Sequence, residues 1–252
     1  MIIKSEKIES KKIMCEETKL GKFYQKYIAK WIPSYGPLPL AWCAIFNTII
    51  YWGTQRLMAN AKHYDLTSNL DRSIPFVKEW IILYVLFFAF SLINYILVSR
   101  EDKETFFRFA TADMLSRVIC CIFFILLPTT NIRPEVTGHD FCSWLVRFIY
   151  ASDAPTNLFP SIHCLVSWFC FIGVRKSRKI PGWYKGCSFV MAALICASTQ
   201  FTKQHYMIDL VAGIFLAEFC WFVSKHTGMY RPVMKVFDKI GRKIFGVKHY
   251  DE

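Results

Sequence analysis

The chain alternates long apolar runs with short polar segments. Residues 31–55, 80–99 and 186–202 contain no charged side chain. A membrane-spanning helix needs about 20 apolar residues, and the first two runs reach that length. The pattern predicts an all-α protein, a bundle of six transmembrane helices over residues 38–57, 76–98, 109–127, 161–174, 183–201 and 206–223. The fourth is short, so we expect it to begin earlier or to snorkel its ends.

Composition places the chain among integral membrane proteins. It is 54% hydrophobic and 17% aromatic, with a mean hydropathy of +0.28. The net charge of +12 would suit a nucleic-acid partner. The cations stand in short blocks between apolar runs, however, which is typical of membrane-flanking charge. We therefore expect the bilayer as a partner and no nucleic acid.

The distribution of Lys and Arg predicts the orientation. Segments on one side of the predicted membrane carry 23 of these residues, and segments on the other side carry 7. The positive-inside rule then places both termini in the cytosol, most simply at a plasma membrane. This gives a lysine-rich cytosolic segment (1–30), partly disordered or amphipathic, a six-span catalytic domain (31–225) and a basic cytosolic tail (226–252). The loop between spans three and four contains residues 139–150, which predict a helix lying along the outer interface.

A histidine and an aspartate stand four residues apart at the start of the sixth predicted span. If the chain is helical from Tyr206 onward, His205 and Asp209 lie on one face within reach of each other. A carboxylate there holds one imidazole nitrogen protonated and leaves the other free to attack or to accept a proton. By contrast, Asp113 and Arg117 in span three, also four apart, predict a structural ion pair.

Other polar residues at span ends fall on the same predicted outer face and suit a phosphate ester. Arg133 offers a planar, permanently charged fork to phosphate oxygens. Pro160-Ser161 is typical of a helix start, where free amides favour an anion. His163 follows, so two histidines can divide attack and protonation between them.

Together these residues resemble the type-2 phosphatidate phosphatase superfamily. The family's motifs are K-x6-R-P, P-S-G-H and S-R-x5-H-x3-D. Arg133-Pro134 matches the end of the first, Pro160-Ser161-Ile162-His163 matches the second except at Ile162, and Ser198 to Asp209 matches the spacing of the third. The resemblance implies a six-span bundle with an outer-face active site.

The resemblance also implies roles for the matching residues. His205 would attack phosphorus and form a phosphohistidine, with Asp209 as its partner, while His163 would protonate the leaving alcohol. Phosphate would be held by Arg133, Ser161, Ile162 and Lys203. No cofactor and no metal is implied. His163, His205 and Asp209 also outline a metal site, but the surrounding serine and cations favour an anion.

The chain departs from the family motifs at cationic positions. Leu126 stands where the first motif has lysine, and Thr199 stands where the third has arginine. Lys203 could replace one of these charges. The expected substrate is a lipid phosphate such as phosphatidate, an isoprenyl diphosphate or a glycolipid phosphate. The departures leave two alternatives open: a headgroup transferase similar to inositol-phosphorylceramide or sphingomyelin synthases, or an inactive lipid-binding protein.

Overall fold

A computed structural model describes residues 18–246 and Tyr250. The remaining parts of the predicted terminal segments, residues 1–17, 247–249 and 251–252, lie outside the described residues. The described chain is mostly helical. Its helices are α1 (Lys19–Tyr27), α2 (Pro37–Leu57), α3 (Asn69–Ser73), α4 (Ile81–Ser99), α5 (Lys103–Leu126), α6 (Phe141–Ser152), α7 (Ile162–Arg175), α8 (Gly182–Phe201), α9 (Met207–His226) and α10 (Tyr230–Phe245).

Each predicted span corresponds to one helix, namely α2, α4, α5, α7, α8 and α9. Among the described residues, three helices are long and apolar enough to cross a membrane: Lys78–Ser99, Lys103–Leu126 and Met207–His226. The first of these includes a short 3₁₀ turn, Lys78–Trp80, ahead of α4. That six helices span the bilayer remains a prediction.

The helix of the third predicted span begins six residues before the span itself, which was predicted from residue 109. α5 begins at Lys103 because Asp102 caps it, with its carboxylate accepting a hydrogen bond from Thr105 N at 2.9 Å. The charged first turn continues the helix beyond the apolar run, since such a turn lies at the polar end of the bundle.

Of the two alternatives for the short fourth span, an earlier start is wrong for the helix, and snorkelling of its ends stays a prediction. α7 begins at Ile162 because Ser161 caps it, and its 14 residues make a helix about 21 Å long. α7 packs against α4, α8 and α9. Its buried side chains include Leu165, Phe169 and Ile172. A helix surrounded by other helices has less need to match the bilayer thickness alone, which accounts for its shortness.

The bundle has an aromatic-rich interior and an apolar exterior. α2 and α9 both pack against α5, and Phe109 meets Phe169 edge-on with ring centroids 5.7 Å apart. Large apolar side chains on the outside of the helices remain exposed, among them Ile45, Phe88, Leu92, Phe215 and Phe222. Exposed apolar surface of this extent is typical of helices in contact with lipid.

The terminal helices pack together at one end of the bundle. Thr18 Oγ1 donates to Ile244 O at 2.9 Å, joining the start of α1 to the end of α10. Lys103, the first residue of α5, pairs with Asp238 of α10 at 2.9 Å. Both terminal helices therefore lie at the beginning of α5, whereas the loop that carries Arg133 follows its end.

The predicted interfacial segment forms α6, an amphipathic helix. Phe141, Trp144 and Phe148 are exposed and stack in series, whereas Val146 is fully buried against the start of α4. A short parallel pair, β1 (Tyr64–Asp65) with β2 (Thr129–Thr130), ties the loop after α2 to the loop before α6. These loops together form one end of the bundle.

Candidate active site

His205 and Asp209 meet at the start of α9. His205 lies in the turn before α9, and Asp209 is in the first turn of that helix. The Asp209 carboxylate reaches back, accepting from Tyr206 N at 3.0 Å and lying 3.2 Å from His205 Nδ1. His205 Nδ1 is also 3.1 Å from Leu158 O. Because both neighbours are acceptors, Nδ1 carries the proton and Nε2 has the free lone pair.

Two opposing effects act on the pKa of His205. Burial lowers it, whereas the hydrogen bond and negative charge of Asp209, with smaller contributions from Cys164 and Asp153, raise it, and the net result is a pKa above the ordinary histidine value. Both side chains are almost inaccessible, at 8% for His205 and 0% for Asp209. Such a pair stabilises an imidazolium and thereby the positive charge that develops when Nε2 attacks an electrophile.

His163, the second residue of α7, faces His205. The centroids of the two imidazole rings are 5.9 Å apart. His163 packs against Tyr84 and Phe87, with centroids at 4.5 and 4.6 Å, and its Nδ1 lies 3.5 Å from the Tyr84 hydroxyl. α4 therefore supplies the aromatic side chains that hold the second histidine in place.

Ser161 links α7, which carries His163, to α9, which follows His205. Its hydroxyl accepts from Cys164 N at 3.3 Å, which caps α7, and its own N–H donates to Asp209 O at 3.2 Å. The start of α7 thus presents its amides beside the first turn of α9. Ile162, predicted to bind phosphate, has its side chain 92% buried in the core, so its contribution would come from the backbone.

A glycine that the sequence did not single out allows this approach. A Cβ added to Gly213 in α9 would lie 2.8 Å from Ser161 O and 3.2 Å from Cys164 Cβ. α9 therefore comes as close to the beginning of α7 as a residue without a side chain permits. Gly213 stands four residues after Asp209, on the same helix face, and that spacing was the available signal.

The Arg133 guanidinium is held beside the site by hydrogen bonds to other protein groups. Its Nη2 donates to Gln204 Oε1 at 2.6 Å and its Nη1 to Asp153 O at 2.5 Å. The guanidinium lies over the Tyr150 ring at 4.7 Å. Its Nε has no partner among the described residues. The structure places Arg133 next to Gln204, the neighbour of His205, with a donor still available for an anion.

The Lys203 ammonium, predicted to bind phosphate, is bound by backbone carbonyl groups. Its Nζ donates to the carbonyl oxygens of Asp71 and Ile74, at 2.7 and 2.5 Å, and burial lowers its pKa. The backbone of Lys203 is left-handed, with φ of 53°. In this structure the ammonium therefore anchors the α3 loop to the turn that carries His205.

The two positions where the family keeps cations differ sharply in environment. Leu126, the last residue of α5, is 75% exposed. Thr199 is fully buried, with its hydroxyl donating to Cys196 O at 2.8 Å. A cation at position 126 would therefore lie at the surface, whereas a cation at position 199 would have to enter the packed interior.

Two cavities meet at His205. The main cavity, about 580 Å³, is largely apolar and extends into the bundle. Its lining includes His163, His205, Arg133, Tyr84, Phe87 and Leu92. The second cavity, about 480 Å³, is lined mostly by loop residues that include Asp71, Asn131, Lys203 and Tyr206. Arg133 and His205 line both, so the apolar cavity and the more polar one adjoin at these two residues.

The described residues contain no group of three or more His, Cys, Asp or Glu side chains arranged to hold a metal ion. The imidazole and carboxylate groups instead meet as a hydrogen-bonded pair with a second histidine opposite. In chemical terms, such an arrangement can supply a nucleophile, a group to orient it and an acid–base catalyst.

Comparison with known proteins places the chain in a family. Neither the curated proteins nor the solved structures contain a significant match. The model of the PAP2 superfamily matches residues 72–223, more than half of the chain and the part that contains every catalytic candidate. The chain therefore belongs to the PAP2 superfamily, the type-2 phosphatidate phosphatases.

Proposed function

We propose that the protein is a membrane lipid phosphate phosphatase that works through a phosphohistidine on His205. The observation that carries the proposal is the His205–Asp209 pair facing His163 across 5.9 Å at the end of an apolar cavity. The cavity suits a hydrocarbon chain, and the histidine pair suits the phosphate at its head. Candidate substrates are phosphatidate, isoprenyl diphosphates and glycolipid phosphates.

In the first step, His205 Nε2 attacks phosphorus. A P–N bond forms as the bond from phosphorus to the lipid oxygen breaks, and that oxygen takes the electron pair together with a proton from His163. Asp209 stabilises the positive charge on the His205 ring. The free amides at the start of α7, beside Ser161, and the Nε of Arg133 are the donors available to the phosphoryl oxygens.

In the second step, water replaces the histidine. His163, now neutral, accepts a proton from the water as its oxygen attacks phosphorus, and the P–N bond breaks with its electron pair returning to Nε2. Inorganic phosphate leaves and both histidines regain their starting states. The chemistry balances with water alone.

The proposed topology places the site on the outer face of a plasma membrane. The terminal helices and most Lys and Arg residues belong to the opposite end of the bundle, which the positive-inside rule assigns to the cytosol. In this arrangement α6, with its exposed row of Phe141, Trp144 and Phe148, lies in the outer interface.

A second candidate function is transfer of the phosphoryl group to an alcohol. The second cavity favours it, because 480 Å³ far exceeds the roughly 30 Å³ that one water occupies. The polar side chains in its lining, among them Asp71 and Asn131, would suit a hydroxylated acceptor. An acceptor oxygen bound there would reach the phosphohistidine from the side opposite the hydrocarbon chamber.

Purified protein in lipid micelles, supplied with a panel of labelled lipid phosphates, tests both candidates. We expect inorganic phosphate from at least one lipid without any added alcohol. A new phosphorylated product that forms only with an added polyol or lipid alcohol would show that the reaction is transfer and not hydrolysis. Lack of turnover across the panel under both conditions would instead indicate a lipid-binding protein.

A further inference from the structure

A second polar cluster lies deep in the main cavity, away from the histidines. Arg117 and Asp113 of α5 line this cavity together with Asn47 of α2. Arg117 is nine residues before the end of α5, which places it about 13 Å along the helix from the end that leads to Arg133. The cavity lining therefore contains polar groups at two levels of the bundle, among mostly apolar side chains.

The Asp113–Arg117 ion pair leaves some hydrogen-bond donors of the arginine without an acceptor in the described part of the chain. Arg117 Nη2 donates to Asp113 Oδ1 at 2.7 Å, and the Tyr95 hydroxyl donates to the same oxygen at 2.8 Å. Arg117 is 98% buried, yet its Nε and Nη1 have no partner among the described residues. Burying donors of a charged group without partners is costly, and it is costlier still inside a membrane domain.

Asn47, in contrast to Arg117, has a hydrogen-bond acceptor that lacks a donor within the described ranges. Its Oδ1 is buried without a donor among the described residues. The lining of one cavity thus holds unused donors on Arg117 and an unused acceptor on Asn47. A group that both accepts and donates hydrogen bonds, a hydroxyl or an amide, would satisfy both, whereas an ester carbonyl would satisfy only the arginine.

We infer that Arg117 and Asn47 form a second subsite, which binds a hydroxyl or amide on the hydrocarbon part of a lipid phosphate. The inference rests on the proposed function for the position of the phosphate, at His205. It narrows the substrate to lipid phosphates that carry a polar, hydrogen-donating group some distance along the chain. Plain alkyl or isoprenyl chains would leave the cluster unsatisfied.

Alkylphosphonates provide a test that does not require turnover, because their carbon–phosphorus bond is not an ester. Binding to the full-length protein in micelles is measured for a plain chain and for equal-length chains with a hydroxyl at successive positions. We expect one position to bind about tenfold more tightly than the plain chain, as one hydrogen bond to a charged group allows.

Variants at Asp113, Arg117 and Asn47 test whether these residues cause the preference for the hydroxylated chain. Removing Arg117 alone would leave Asp113 buried and unpaired, so the pair is replaced together as Asp113→Leu with Arg117→Met. This double variant and, separately, Asn47→Leu should each reduce the ratio of hydroxylated to plain affinity toward one. Ser91→Ala is the control, because Ser91 lines the same cavity but its hydroxyl already donates to Phe88 O at 3.1 Å.

Three results would overturn the inference. Equal affinity of the wild-type protein for plain and hydroxylated chains at every position would exclude the subsite while leaving the phosphate site intact. A preference unchanged in Asn47→Leu would place the hydroxyl elsewhere, and this variant decides the matter if the double variant fails to fold. Failure of all phosphonates to bind would remove the proposed phosphate site as well.

Discussion

His205 Nδ1 lies 3.2 Å from Asp209 Oδ2, although His205 precedes the helix that contains Asp209. The aspartate occupies the first turn of α9 and also holds Tyr206 N, so one carboxylate both starts the helix and orients the histidine. This double role fixes the direction of His205 Nε2 and raises the pKa of the ring.

The pH dependence follows from that raised pKa. The neutral form of His205 is the nucleophile, so activity should fall as pH drops through the pKa, with a midpoint above the ordinary value of about 6.5. Asp209→Asn keeps an acceptor for Tyr206 N but removes the charge. We expect kcat to fall on the order of 10²–10⁴-fold and the acidic limb to move to lower pH. If the acidic limb of the kcat–pH profile of Asp209→Asn has the same midpoint as that of the wild-type protein, Asp209 does not act through His205.

Replacement of either histidine by alanine should abolish turnover. His205→Ala removes the nucleophile and His163→Ala removes the acid, and the two effects should not add, because both belong to one reaction. The matched control is His226→Ala, at the end of α9, where the exposed ring contacts its own helix at Phe222 O. Phosphate release and melting temperature are measured together; turnover by a folded His205→Ala protein would disprove the mechanism.

Gly213 offers a test of the helix approach that brings the histidines together. In Gly213→Ala the new Cβ would lie 2.8 Å from Ser161 O, a backbone atom that must move. We expect a loss of about 1–3 kcal/mol in stability and a lower kcat, since α9 would separate from α7.

Gly186→Ala is the control for this substitution. Gly186 is in α8 and an added Cβ there meets nothing within 4 Å. The alanine should therefore be neutral or slightly stabilising, as expected from helix propensity. If the two variants have the same kcat and melting temperature, the close contact at Ser161 is not required.

Restoring the family's arginine at position 199 should damage the protein. Thr199 is fully buried, and its carbonyl accepts from the N–H groups of Gln204 and His205 at 2.9 and 3.2 Å. Thr199→Arg would force a long charged side chain into this space, and we expect destabilisation of about 3 kcal/mol or more. Thr227→Arg, at an exposed position, is the control. Increased phosphate release by a stable Thr199→Arg protein would instead indicate a vacant place for the cation.

The apolar pattern predicts the helices well because their side chains are apolar both in the bundle interior and on its exterior. It fails at their ends, where capping decides: Asp102 starts α5 six residues before the predicted position, and Ser161 prevents α7 from starting earlier. The placement of His163 at a helix start followed from Pro160-Ser161, whose preference for such starts is local chemistry.

Other parts of the site depend on contacts between distant segments, which one sequence does not reveal. The engagement of Lys203 by Asp71 and Ile74 joins residues about 130 positions apart. The role of Gly213 is visible only once α9 lies against Ser161. Likewise, the Asp113–Arg117 pair is predictable from its spacing, but the cavity beside it and the unpartnered nitrogens are not.

Trapping the phosphorylated enzyme tests the central claim most directly. The protein is mixed with a labelled lipid phosphate, quenched at alkaline pH within one turnover, digested and analysed by mass spectrometry. We predict phosphate on the peptide that contains His205, at substoichiometric but measurable occupancy, and none in His205→Ala. Phosphate on a different side chain, or rapid phosphate release from wild-type protein without any labelled peptide, would contradict the account.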